Sequence, residues 1–234
     1  MGREHDHLKT LILFDIDGTL VRGGPAKVAF HTAMLETFGT AGSIESHDFS
    51  GKTDPQIVRE LLTDAGMEDA VVDAGLPELW DRYIGGLEGR IVDNPMRLLP
   101  GVVDLLEALE AEPDVALGLV TGNIIRGARV KLGSVGLADR FEVGGYGSDH
   151  EIREHLPAIA LDRAFEVWGV RFPAESAVIV GDTPRDVECG KHEGTRTVAV
   201  ATGRIPRSRL ETTGADAVLD DFSDLAAVMD ALIP

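Results

Sequence analysis

The chain has 234 residues, 44% apolar and 26% charged, with a single cysteine, Cys189. That length buries a sizeable core without staples, and the composition excludes a disordered, collagen-like or coiled-coil chain, a disulfide framework and a cysteine-rich metal site. With 22 basic against 40 acidic residues the formal charge is −18, so nucleic acid and anionic membranes, which need clustered cations, are not expected partners. The acidic surface suits solubility or a high-salt environment and carries no information about fold. No run of roughly 18 apolar residues occurs, which predicts no membrane-spanning helix. The charged start, MGREHDHLKT, lacks the apolar stretch of a signal peptide, so a cytoplasmic protein is expected.

In chain order, the apolar run Leu11 to Asp15 predicts a buried strand, ending in the turn-prone Ile16-Asp17-Gly18-Thr19. From about residue 24 to 94 apolar residues recur at helical spacing and no strand signal is evident, which predicts a helical insert. Gly and Pro at both junctions, Gly23-Gly24-Pro25 and Asn94-Pro95, are suited to hinges. After Pro100-Gly101 the rhythm alternates. A helix over 102–110 precedes a strand over 115–120 that ends at Thr121-Gly122-Asn123. A helix over 124–135, a short strand over 141–143 and a helix over 156–168 follow. Next come a strand over 177–180 ending at Gly181-Asp182, a helix over 186–193, strands over 197–200 and 217–219, and a helix over 225–232. Apolar strands alternating with helices predict an α/β fold, a Rossmann-like parallel sheet with helices on both faces. The expected division is a core of 1–22 and 98–234 and a helical cap of 23–97.

In such sheets ligands bind outside the carboxyl ends of the strands. Asp15 and Asp17, then Thr121 and Asn123, then Asp182 and Asp186 all fall at predicted strand ends. Crowded carboxylates raise each other's proton affinity unless a cation intervenes. An all-oxygen set suits a hard cation, Mg²⁺ best among the common ones.

Together these residues resemble the signatures of the haloacid dehalogenase-like hydrolases. The segment Phe14-Asp15-Ile16-Asp17-Gly18-Thr19-Leu20-Val21 is similar to the family's DxDGT motif. Leu119 to Asn123 resembles its second motif, and Gly181-Asp182-Thr183-Pro184-Arg185-Asp186 its acidic last motif. The resemblance implies that Asp15 is the nucleophile that takes a phosphoryl group and Asp17 the acid and then the base. It implies that Thr121 binds a phosphoryl oxygen. Asp182, Asp15 and the backbone carbonyl of Asp17 would hold Mg²⁺, and Asp186 would bind it or orient its waters. Gly18, Gly122 and Asn123, with Gly51, Lys52 and Thr53 of the cap, are expected to line the substrate, although Thr53 or Asp54 can equally be an ordinary helix N-cap. The family expects a lysine between its second and last motifs. Tyr146 to Ala158 contains none, and Arg153 is the best substitute, ahead of His155 and Arg163.

The implied activity is that of a Mg²⁺-dependent phosphatase of a small phosphorylated metabolite, similar to the phosphoglycolate phosphatase group. A sugar phosphomutase or a catalytically silent binder of the same fold stands as the alternative, and the protein is expected as a monomer or homodimer.

Overall fold

The computed structural model describes residue 5 and residues 7–233; of the charged start, residues 1–4 and 6 lie outside the described part, as does residue 234. The elements run β1 (Thr10–Phe14), β2 (Val21–Gly23), α1 (Ala26–Phe38), α2 (Asp54–Asp64), α3 (Asp69–Ile91), β3 (Met96–Leu98), α4 (Val102–Ala111), β4 (Val115–Thr121), α5 (Ile125–Gly133), β5 (Val143–Tyr146), α6 (Leu156–Trp168), β6 (Ala177–Gly181), α7 (Pro184–Glu193), β7 (Arg196–Val200), α8 (Arg207–Leu210), β8 (Ala217–Leu219) and α9 (Leu225–Leu232).

Six strands form one parallel sheet in the order β5-β4-β1-β6-β7-β8. This is the α/β architecture that the strand–helix alternation predicts. Leu11, Ile12, Leu13 and Phe14 are fully buried, because helices cover both faces of a parallel sheet and leave no side for polar residues. The chain leaves β1 towards β4 and β5 on one side and later towards β6, β7 and β8 on the other. The ends flanking β1 are therefore the topological switch point where α/β sheets bind ligands. Phe14 is in register with Leu119 of β4 and Val180 of β6, so Asp15, Thr121 and Asp182 emerge side by side at one edge.

Two features depart from the sequence reading. The strand expected over 141–143 lies at Val143–Tyr146. Its centre is Gly144-Gly145, a pair that reads as a turn. A side chain at Gly145 would collide with the backbone of Leu156, so the packing of α6 onto this edge strand requires the glycine. The ends of the helical insert also carry β2 and β3, which pair antiparallel, Val21 with Leu98 and Gly23 with Met96. Strands of three residues are too short to show a periodicity. Between them stand α1, α2 and α3, whose buried Phe30, Met34, Leu61 and Tyr83 share a continuous apolar cluster with Phe14, Leu20 and Leu119 of the sheet.

Candidate active site

Asp15 follows β1 directly, and its N–H donates to Val180 O at 2.9 Å. Asp182 follows β6. Asp186 sits one turn into α7, where it closes a capping box: Thr183 N and Oγ1 donate to its Oδ2 at 3.0 and 2.7 Å. Asp15, Asp182 and Asp186, all buried, each bring a ligand atom within 4.8 Å of the others. Gly18, at φ +89°, makes the approach possible, since a Cβ there would lie on the Asp182 carboxylate.

Among the described residues, one cation enters this cluster. Arg153, in a single 3₁₀ turn over Arg153–His155, is 4% exposed. Its Nη2 donates to Asp15 Oδ1 at 3.1 Å, to Asp186 Oδ1 and to the carbonyl of Val120 at 3.2 Å. Its Nε has no partner among the described residues. The thiol of Cys189 donates to the Arg153 carbonyl at 3.3 Å and tethers the turn from below. The other two cations weighed for this place lie elsewhere. Arg163 grips both oxygens of Asp149, and the His155 ring stands against His150 and His192.

Burial pushes Asp182 up to about 9, with Asp186 and Asp15 adding repulsion that Arg153 offsets only in part. Burial likewise raises Asp15 to about 6, against the pull of Arg153. Arg153 is held above its ordinary value: burial opposes its charge, but Asp186 and Asp15 outweigh that. Three crowded carboxylates against one guanidinium leave an excess of negative charge in a poorly solvated site, and a divalent cation would relieve it. The donors are all oxygen, which fits a hard cation.

This electrostatic state has a measurable consequence. Without a cation, the folded chain holds protons on Asp15 and Asp182 that the unfolded chain, titrating near pH 4, has released. Stability therefore falls as pH rises from about 4 through about 9. Urea unfolding in a chelator is expected to give a lower midpoint at pH ~9 than at pH ~6. A divalent cation should restore the midpoint at the higher pH, and Asp182→Asn should flatten the slope. A midpoint that rises with pH in the chelated wild type would contradict this picture.

Asp17 points its carboxylate to other partners. Its Oδ2 accepts from Lys131 Nζ at 2.5 Å and from Asn123 Nδ2 at 2.8 Å. Asn123 Nδ2 also donates to Thr121 Oγ1 at 2.8 Å, while Asn123 Oδ1 accepts from Lys131 at 2.6 Å. Thr121 is fully buried. Burial opposes the charge of Lys131, but Asp17, Tyr83 and Asp54 outweigh it and hold the ammonium above its ordinary value. Asp54 is itself pushed up to about 6 by burial, against the pull of Lys131.

The loop before α2 seals onto the same edge. Asp54 N donates to Gly122 O at 2.7 Å and Ile124 N to Asp54 Oδ2 at 2.8 Å. A side chain at Gly122 would strike the carbonyl of Lys52, and one at Gly51 would strike Thr183 and Arg185. Thr53 is the N-cap of α2, accepting from Gln56 N at 3.2 Å, and its hydroxyl donates to Glu151 O at 2.6 Å. The Lys52 ammonium pairs with Glu60 and lies 3.4 Å from His47. The structure thus gathers Asp15, Asp17, Thr121, Asn123, Arg153, Asp182 and Asp186 at the sheet edge. Gly51, Thr53 and Gly122 make the contact between loop and edge, and the Lys52 side chain faces Glu60 and His47. Lys131 is the charged residue that sequence reasoning missed. The signal was present: with Ala128 and Leu132 it occupies the apolar stripe of α5, where an unpaired lysine would be unstable.

The molecule is thus a parallel α/β core with a buried carboxylate cluster and a guanidinium at its switch point. The family model of the haloacid dehalogenase-like hydrolases matches residues 12–200, and the chain belongs to that family. It is 28% identical over 223 residues to a phosphoglycolate phosphatase of Rhodobacter capsulatus, spanning 94% of this chain and 96% of that one. It is 30% identical over 226 residues to an N-acetylmuramic acid 6-phosphate phosphatase of Pseudomonas putida, spanning 95% and 96%. Among solved structures, the fold is similar to that of a hydrolase from Pseudomonas syringae, with TM-score 0.72 and 23% identity over 97% of this chain and 100% of that one. Among the described residues no helix is long and apolar enough to cross a membrane.

Proposed function

We propose that this chain is a Mg²⁺-dependent phosphatase of a small phosphate ester, working through an aspartyl phosphate on Asp15. The observation that carries the reading is the convergence of Asp15, Asp182 and Asp186 with the buried Arg153 at the sheet edge. The phosphatase names of the relatives support the same reaction class.

Asp15, Asp182 and Asp186, with the backbone carbonyl of Asp17, would hold the metal. Mg²⁺ would supply charge neutralisation between the anionic nucleophile and the anionic substrate. The rest falls to side chains. A carboxylate oxygen of Asp15 attacks phosphorus, and the bond from phosphorus to the ester oxygen breaks. The leaving oxygen takes a proton from the Asp17 carboxyl. Water then attacks the aspartyl phosphate and gives its proton back to Asp17. The phosphorus–Asp15 bond breaks, releasing inorganic phosphate and restoring both carboxyl groups. Arg153 orients Asp15 and, with the Thr121 hydroxyl, stabilises phosphoryl oxygens; in this chemistry positioning and charge do most of the work. Residues 23–97 act as the cap, and the loop of Gly51 to Thr53 that meets Gly122 restricts the site to small esters.

The test is phosphate release from a panel of small phosphorylated metabolites, with Mg²⁺ and in a chelator. Release that requires the metal is the expected result. A requirement for a sugar bisphosphate with no net phosphate release would replace this reading with a phosphomutase, and no turnover of any ester would leave a silent binder.

A further inference from the structure

Lys131 lies outside every motif that carries the proposed chemistry, yet it is 5% exposed and its ammonium meets the carboxylate assigned the proton transfers. Resting on that reading of Asp17, we propose that Lys131 is a positioning residue that fixes the orientation of the Asp17 carboxyl group for proton transfer to the leaving oxygen.

The geometry supports this at three points. First, the ammonium and the Asn123 amide both donate to one oxygen of Asp17, Oδ2. Oδ1 accepts from no group among the described residues, so it is the oxygen left to carry and deliver a proton. Second, the arrangement is self-consistent. Lys131 also donates to Asn123 Oδ1, which turns the amide so that Nδ2 faces Asp17 and Thr121. One buried cation thereby sets the orientation of the acid and of the amide beside the Thr121 hydroxyl. Third, Lys131 stands on α5, whose Ala128 and Leu132 are buried in the main apolar cluster, whereas Asp17 lies in a turn and its side chain is 45% exposed. A half-exposed carboxylate on a turn would sample several rotamers, and two donors, one on α5 and one held in turn by Lys131 and Thr121, restrict it to one. Displacements of about 1 Å are enough to lower turnover about a hundred-fold.

A positioning role makes a distinctive prediction, because the need for a proton depends on the leaving group. An alkyl phosphate expels a basic alkoxide and requires the acid; 4-nitrophenyl phosphate expels a stable phenolate and requires it little. The experiment compares kcat/KM for both substrates in wild type, Asp17→Asn and Lys131→Met. Lys131→Met is expected to lower kcat/KM roughly 10- to 100-fold for the alkyl ester and no more than about 3-fold for the nitrophenyl ester. Asp17→Asn is expected to show the same selectivity with a larger loss. Equal losses on both esters in Lys131→Met would mean that the lysine only supports the fold, and that would overturn the proposal, as would no loss on either. If Asp17→Asn itself lacks the selectivity, the assignment of Asp17 as acid falls, and this inference falls with it. Should Lys131→Met fail to fold, Lys131→Gln, which keeps a donor in the pocket but not the charge, is held to the same criterion.

Discussion

Replacing Asp15 by Asn is expected to abolish phosphate release while leaving the chain folded and no less stable. The activity loss follows from the chemistry: an amide oxygen cannot form the covalent phosphoryl intermediate, and removal of a nucleophile lowers turnover by at least about a thousand-fold. The stability result follows from the surroundings. Burial, Asp186 and Asp17 all disfavour charge on Asp15, and only Arg153 favours it. Asn is nearly isosteric and can still accept from Nη2 of Arg153 through its carbonyl oxygen. Thermal unfolding in a chelator, measured beside the activity, separates the two effects. Turnover near the wild-type level in a folded Asp15→Asn variant would remove Asp15 as nucleophile.

Arg153→Met is expected to fail in both respects. The guanidinium is buried between Asp15 and Asp186 and also donates to the Val120 carbonyl. Its loss leaves two buried carboxylates without their counter-charge, which destabilises by about 3–5 kcal/mol. Turnover should fall with it, since nothing then holds Asp15 in place or opposes its repulsion of the substrate. Arg153→Lys restores a charge but not the planar fork, so it should recover stability more than turnover. The chelated midpoint in urea and kcat for each variant check this. An Arg153→Met variant with wild-type stability would show that the carboxylates discharge by taking up protons instead of by pairing.

The two variants bear on how the site is encoded. The four aspartates were legible because each pair is local: Asp15 with Asp17, and Asp182 with Asp186, lie within one turn at the end of an apolar strand. Such a signal survives in one dimension. Arg153 was reached only through the resemblance, as the best substitute for the lysine the family expects, ahead of His155 and Arg163, and no local pattern ties it to the aspartates. The candidates face different neighbours: Arg153 turns inward to Asp15, and Arg163, on α6, turns to Asp149. Thr53 was open between a substrate contact and a helix cap; its oxygen accepts from Gln56 N and its hydrogen goes to Glu151. Lys131 went unremarked because its partner, Asp17, stands 114 residues away along the chain.

By itself, the order of residues determined the α/β class, the helical insert and which carboxylates stand at strand ends. Those features depend on period, turn chemistry and neighbours within a few positions, all local properties of the chain. Only the tertiary structure decided which cation answers which carboxylate: Arg153 for Asp15 and Asp186, Lys131 for Asp17. That choice depends on β1 lying between β4 and β6 and on α5 and the Arg153 turn packing against the same edge. Charges interact over a few ångströms of space in a low-dielectric site, and that separation is set by the sheet order rather than by distance along the chain.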